Sequence, residues 1–270
     1  MNNREWTKLA IVEFLGPFAL TFMGVGAIIQ TQGGDIVAIA LAHGLGFGLM
    51  VAAAGHISGG VFNPALTIGL WAARRLDQTR AIVYIIAQLL GGLAAAGALT
   101  LVYRDLDRNA VNLGVPAVGK AIRDTGFSLS AGNALVMEII LTFFLMFVVF
   151  GTAIDSRSGG RAIAGLAIGL TISMDVLAGG AVSGAAMNPA RWFGPAVVQG
   201  DFADFWIWIV GPIVGAVAAA VIYNDVILAG TPAGAAPSDR VEIEHPRAVV
   251  EGEIRQEAVQ RSRRSQRRGR

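Results

Sequence analysis

No cysteine occurs among the 270 residues. Disulfides and thiolate-bound metals are therefore excluded. Histidine is nearly as scarce, with His43, His56 and His245 the three copies. No metal-ligating set and no nucleophile–base pair is in view, so no enzyme, metal site or cofactor is expected. Charge is sparse too: Asp, Glu, Lys and Arg make up 15% of the chain, and the formal net charge is +2. Nucleic acid is not an expected partner.

What fills the chain instead is apolar. Hydrophobic residues reach 54% and mean hydropathy is +0.59, well above what a soluble domain needs. A spanning helix takes ~20 apolar residues, and six stretches qualify: Leu9–Ile29, Ile36–Gly55, Ala81–Val102, Ala131–Ile154, Ala162–Gly180 and Phe205–Leu228. The expected class is an all-α, multi-pass membrane protein whose surroundings are the lipid bilayer. Lys and Arg collect at the amino terminus (Arg4, Lys8), in the second and fourth connections (Arg74, Arg75, Arg80; Arg157, Arg161) and in the tail. The long third connection holds Arg104, Arg108, Lys120 and Arg123. The positive-inside rule then puts both termini in the cytoplasm, with the cell membrane as the expected location. A secretory signal over Met1–Ile29 is the competing reading of the first run. Glu13 interrupts it, and no small-residue cleavage pattern follows.

Two segments organise the rest: Gly60-Val61-Phe62-Asn63-Pro64-Ala65 and Ala186-Met187-Asn188-Pro189-Ala190-Arg191. Asn at a cap with Pro in the first helical position is how a short helix begins. The apolar piece after each is roughly 10 residues, too short to cross. Re-entrant half-helices are expected, which a bilayer tolerates only where protein or a water-filled cavity satisfies the backbone. The two asparagines lie 125 residues apart, as do Glu13 and Glu138, so the chain reads as a duplication over about residues 1–103 and 131–228. Three spans per copy is an odd number, which inverts the second copy and places the shared site at the midplane.

Ionisable residues in a span are costly, ~2.5–3.5 kcal/mol at the bilayer centre on insertion scales. Glu13 and Glu138 are therefore expected to face inward as structural acceptors for the loop N–H groups; a proton relay is the alternative. His43, surrounded by small and apolar residues, reads as a packing residue or a pore-lining one. His56 reads as a brace of the loop before the first half-helix. Asp175 has no counterpart in the second span. The third connection, Tyr103–Ser130, is long, of mixed charge and expected to be solvated. Residues 1–228 form the expected membrane domain, and 229–270 a disordered basic tail, solvated or drawn to anionic lipid.

Half-helices entering from opposite faces aim ~+0.5 charge each at the centre, which opposes cations and protons. The amides of Asn63 and Asn188 can orient a passing water, and Arg191 adds a full charge one turn further out.

With these features on one chain, it resembles the major intrinsic protein (aquaporin) family from Glu13 to about Tyr223. The resemblance implies a right-handed bundle of six helices and two half-helices, a homotetramer, and passive flow of water that excludes protons and ions. It implies a pore at Asn63, Pro64, Ala65 and Asn188, Pro189, Ala190, and an outer filter of His43, Val176, Ala185 and Arg191. That filter is similar to the tonoplast-intrinsic subgroup of plants, whose members pass water and often ammonia, urea or hydrogen peroxide. Glycerol channels carry Asp after the filter arginine, where this chain has Trp192, and a second basic residue where it has Ala196. Further departures are Pro17 for Thr, Val61 for a loop histidine, and Ile209 after Trp208 where an aromatic pair is usual. A glycerol facilitator is the alternative within channels. A proton-coupled secondary transporter is the alternative from another class.

Overall fold

A computed structural model describes residues 2–119, 129–158 and 160–229. Lys120, Arg123 and nearly all of the expected basic tail lie outside these residues. Among the described residues the secondary structure is helical, and six helices are long and apolar enough to cross a membrane. In chain order the α-helices are α1 (Asn3–Thr31), α2 (Ile36–Ser58), the short α3 (Pro64–Ala72), α4 (Gln78–Val102), the small α5 (Asp105–Ala110), α6 (Ala131–Val149), α7 (Ala164–Ser183), the short α8 (Pro189–Gln199) and α9 (Ile207–Ile222), all but α3, α5 and α8 being spans. Single π-helical turns, Phe150–Ile154 and Tyr223–Ile227, extend α6 and α9.

The helix starts follow capping chemistry. Asn2 with Glu5 and Ser130 with Asn133 form capping boxes at α1 and α6, and Asp35 and Asp77 cap α2 and α4. Polar caps extend α1 beyond the apolar stretch that signals it. Pro17 removes one backbone donor from α1, yet the helix runs through it. His56 corrects an expectation: α2 continues through it to Ser58 and stops at left-handed Gly59, leaving His56 an exposed residue of the last turn.

Helices α1 and α4 pack together as α6 and α9 do, and α2 packs on α7, joining the two halves. The two halves meet in matching detail. A Cβ at Gly44 would collide with the Gly169 carbonyl, and one at Gly169 would press on the Gly44 carbonyl, so the α2–α7 backbones touch at two glycines 125 residues apart. Gly91 likewise rests on the Phe14 carbonyl, and Gly215 on that of Ile139. The outward faces repeat as well: Leu41, Leu45 and Leu49 on α2 are exposed, and so are Leu166, Leu170 and Met174 on α7. Exposed apolar stripes of this extent are the surface a bilayer covers.

The third connection departs from the expected solvated loop. Leu113 is wholly buried against Val25, Ile29, Ala96 and Leu99, and Val115 and Val118 pack on Trp192. This segment folds back over the bundle.

Candidate functional site

The two loops leading into α3 and α8 share one backbone shape. Gly59, Gly60 and Phe62 have positive φ, and so do Gly184, Ala185 and Met187, each 125 residues further on. Left-handed backbone is costly for a bulky residue, so Phe62 (φ 51°) and Met187 (φ 52°) need something to hold them. The buried glutamates do this. Glu13 accepts from Ser58 Oγ (2.6 Å), Val61 N (3.1 Å), Phe62 N (2.8 Å) and Gln88 Nε2 (2.7 Å). Glu138 accepts from Ser183 Oγ (2.6 Å), Ala186 N (2.9 Å) and Met187 N (2.7 Å). Gln88 also bonds Thr67 Oγ1. In the second half, Pro212 and Trp192 occupy the places of Gln88 and Thr67, so Glu138 has one donor fewer.

Each loop ends in a capped half-helix. Asn63 Oδ1 accepts from Ala65 N at 2.9 Å, and Asn188 Oδ1 from Ala190 N at 3.0 Å. Their amide nitrogens reach across the join: Asn63 Nδ2 donates to Met187 O (2.8 Å) and Asn188 Nδ2 to Phe62 O (2.9 Å). Sequence reasoning placed both caps but missed this cross-brace, which depends on a contact between distant segments. Beside it lies a narrow cavity of about 10 Å³, close to what one water requires. Its lining repeats across the halves, with Leu20 and Leu145, Phe47 and Ile172, and Asn63 and Asn188 as pairs 125 residues apart. His43 and Ala185 also line it and break the symmetry.

His43 is 3% exposed, with its ring against Gly24. Nδ1 lies 2.8 Å from the Ile39 carbonyl. A carbonyl only accepts, so Nδ1 carries a proton, and in the neutral ring Nε2 is left as an acceptor. Nε2 has no protein partner among the described residues. Val176 is buried in one cluster with Ile39, Ile172 and Ala185, one turn along α7 from the cavity-lining Ile172. Arg191, 2% exposed, donates from Nη1 to Gly114 O at 2.8 Å, while its Nε has no protein partner among the described residues. His43 and Ala185 thus line this cavity, Val176 lies one turn away from it along α7, and Arg191 is held by the third connection.

A family model described as Major intrinsic protein matches residues 1–223. The chain belongs to the major intrinsic protein family. Similar relatives include Aquaporin NIP1-1 of Oryza sativa subsp. japonica, 42% identical over 79% of this chain and 72% of that protein. Aquaporin TIP4-4 of Zea mays is 39% identical over 82% and 87%. The X-ray structure of the aquaglyceroporin from Plasmodium falciparum superposes with a TM-score of 0.74 at 27% identity, covering 82% of this chain and 97% of that one. This major intrinsic protein is therefore a multi-pass membrane channel for water and small solutes, of a family of transport proteins rather than enzymes.

Within this family member, Ser58 and Ser183 are site residues that sequence reasoning passed over. Their signal was available, since they too lie 125 residues apart. Gly114 was missed for a different reason: it contributes a main-chain oxygen, which leaves no trace in residue type. Trp192 turns away from the cavity lining into a cluster with Val115, Val118 and Trp208, so its bulk does not narrow the passage. Asp175 is 1% exposed, and its Oδ2 has no partner among the described residues.

Proposed function

We propose that residues 1–228 conduct water, with small neutral solutes such as ammonia, urea or hydrogen peroxide as secondary cargo, past a central station at Asn63 and Asn188 and an outer filter of His43, Val176, Ala185 and Arg191. The observation that carries this reading is the meeting of two capped helix amino termini beside a cavity of about one water's volume. Each asparagine uses one amide N–H on the opposite loop, and its second N–H faces a solute. The apolar pairs on the remaining walls leave the free Nε2 of His43 as the other polar side-chain atom offered to a permeating molecule. The two helix ends and the Arg191 charge oppose cations and a relayed proton. Glu13 and Glu138 serve as structural acceptors, since every donor they take is a loop, serine or glutamine group that needs one.

The test is stopped-flow light scattering on proteoliposomes, comparing osmotic shrinkage with permeation of ammonia, urea and glycerol. Faster shrinkage than in empty vesicles supports the proposal, and none defeats it. Glycerol as principal solute is the second reading, favoured by the similarity to an aquaglyceroporin. It is opposed by the narrow cavity and by the imidazole of His43. The protein is further proposed to be a homotetramer in the cell membrane with both termini cytoplasmic. Support comes from the family and from the placement of Arg4, Lys8, Arg74, Arg75 and Arg80.

A further inference from the structure

The filter arginine is held at a distance by residues that touch no solute. Arg191 Nη1 donates to Gly114 O, and Gly114 closes a run of three consecutive left-handed residues: Asn112 (φ 50°), Leu113 (φ 46°) and Gly114 (φ 64°). Two of the three are not glycine, and Leu in this region is strained, so the run persists only because its surroundings over-determine it. One restraint is the burial of Leu113 against α1 and α4. Another is polar: Asn112 Nδ2 donates to Asp201 Oδ2 at 2.6 Å. Asp201 follows Gly200, the left-handed cap of α8, and its own N–H bonds Ala196 O. A second tie, Gln199 Nε2 to Asn109 Oδ1 at 3.3 Å, joins the same two segments. The third connection is therefore fastened at the far end of α8, while its Gly114 carbonyl holds the side chain that α8 presents from its first turn.

We propose that the Asn112–Asp201 hydrogen bond is a latch that positions the Gly114 carbonyl, and through it Arg191, so that selectivity against larger solutes depends on this pair. Both are positioning residues. The inference rests on the reading of Arg191 as a filter residue. A carboxylate acceptor makes the bond charge-assisted and short, and its position near the outer end of α8 lets it act without obstructing flow. Released, the run has a lower-energy backbone to relax into, and the Arg191 guanidinium gains freedom to swing.

The test measures the ratio of glycerol to water permeability in proteoliposomes of the full chain. A ratio is insensitive to how many channels fold, so a loss confined to stability does not move it. Asn112→Gly removes the amide while accommodating the positive φ, and Asp201→Ala removes the acceptor. Each is expected to raise the ratio between about twofold and tenfold, the range the net worth of a single hydrogen bond supports when only part of it reaches Arg191. Asp201→Asn keeps an acceptor oxygen, and the double variant Asn112→Asp with Asp201→Asn reverses donor and acceptor; both are expected to stay near the parent ratio. Arg191→Val is the control for the filter itself. If it raises the ratio while neither Asn112→Gly nor Asp201→Ala does, the latch is wrong and the filter stands. If Arg191→Val leaves the ratio unchanged, the filter reading fails and takes the latch with it.

Discussion

Asn63 Nδ2 lies 2.8 Å from the carbonyl oxygen of Met187, the residue before Asn188. Asn188 returns the bond to the residue before Asn63, so each half of the duplication holds the other's loop. The oxygen of each amide caps its own half-helix and the nitrogen braces the opposite one. Two variants separate these tasks. Asn188→Ala loses both, about 1 kcal/mol for the cap and about 1 kcal/mol for the brace. Asn188→Asp keeps the cap but turns an oxygen toward the Phe62 carbonyl. Asn188→Asp is expected to lower the detergent-solubilised melting temperature and to admit a cation leak, read as sodium flux into vesicles. A stable, cation-tight Asn188→Asp protein would contradict the assigned brace.

The glutamates give a second expectation. Glu138→Gln replaces one acceptor oxygen with an amide donor that meets a donor, leaving a buried group unpaired at about 1–3 kcal/mol. Water flux is expected to fall in step with the amount of folded protein, with no dependence on a pH gradient. Gln88→Leu, which removes the fourth donor to Glu13 and leaves the Thr67 hydroxyl with only the Asn63 carbonyl, is expected to act in the same way but more weakly. Flux driven by a pH gradient and abolished in folded Glu138→Gln would establish the proton-coupled alternative.

His43 is positioned by what is missing opposite it. A methyl group at Gly24 would collide with the imidazole, so Gly24→Ala is expected to push the ring toward the cavity and reduce water flux without substituting a residue of the proposed filter. His43→Ala should do the reverse, raising glycerol permeation relative to water by about tenfold, the order of discrimination one small group provides. Stopped-flow comparison of the two variants checks both directions.

Outside the spans, the Asp155 carboxylate ties the end of α6 to that of α9. Arg157 donates to it through Nε (2.9 Å) and Nη2 (2.8 Å), and Tyr223 OH through a 3.2 Å bond. The Arg157 hydrogen bonds hold Asp155 down at about 2, below the ~3.9 of an unfolded aspartate. Its folded-state pKa is depressed, so its contribution to stability is complete above about pH 4 and lost as pH falls toward 2. Arg157→Ala should move acid unfolding to higher pH, followed by tryptophan fluorescence. An unchanged acid midpoint would count against the pair as a stabilising link.

The duplicated parts of this fold were legible because their signals are local and occur twice. Apolar length marks the spans, Asn before Pro marks the half-helix starts, and the spacing of Glu13 from Glu138 matches that of Asn63 from Asn188. The same spacing reached Ser58 and Ser183, had they been sought. What was not legible lies in contacts between distant backbone segments. The mixed charges of Tyr103–Ser130 suggested solvent, whereas Leu113, Val115 and Val118 are buried and Gly114 offers a carbonyl to Arg191. Left-handed Leu113 has no compositional sign, because Leu rarely adopts that shape. His43 was ambiguous from its neighbours alone; only the folded chain puts it in the lining of the cavity, held by the Ile39 carbonyl and the space over Gly24.

Without cysteine, water flux should be unaffected by mercuric chloride, and inhibition reversed by a thiol would point to a different lining. The most direct measurement is osmotic shrinkage of proteoliposomes alongside a trapped pH dye, so that water and proton flux are read from the same vesicles. The expected result is shrinkage well above that of empty vesicles, with proton entry no faster than theirs. Shrinkage at the empty-vesicle rate, or water flux accompanied by a matching proton leak, would contradict a passage formed where Asn63 and Asn188 meet.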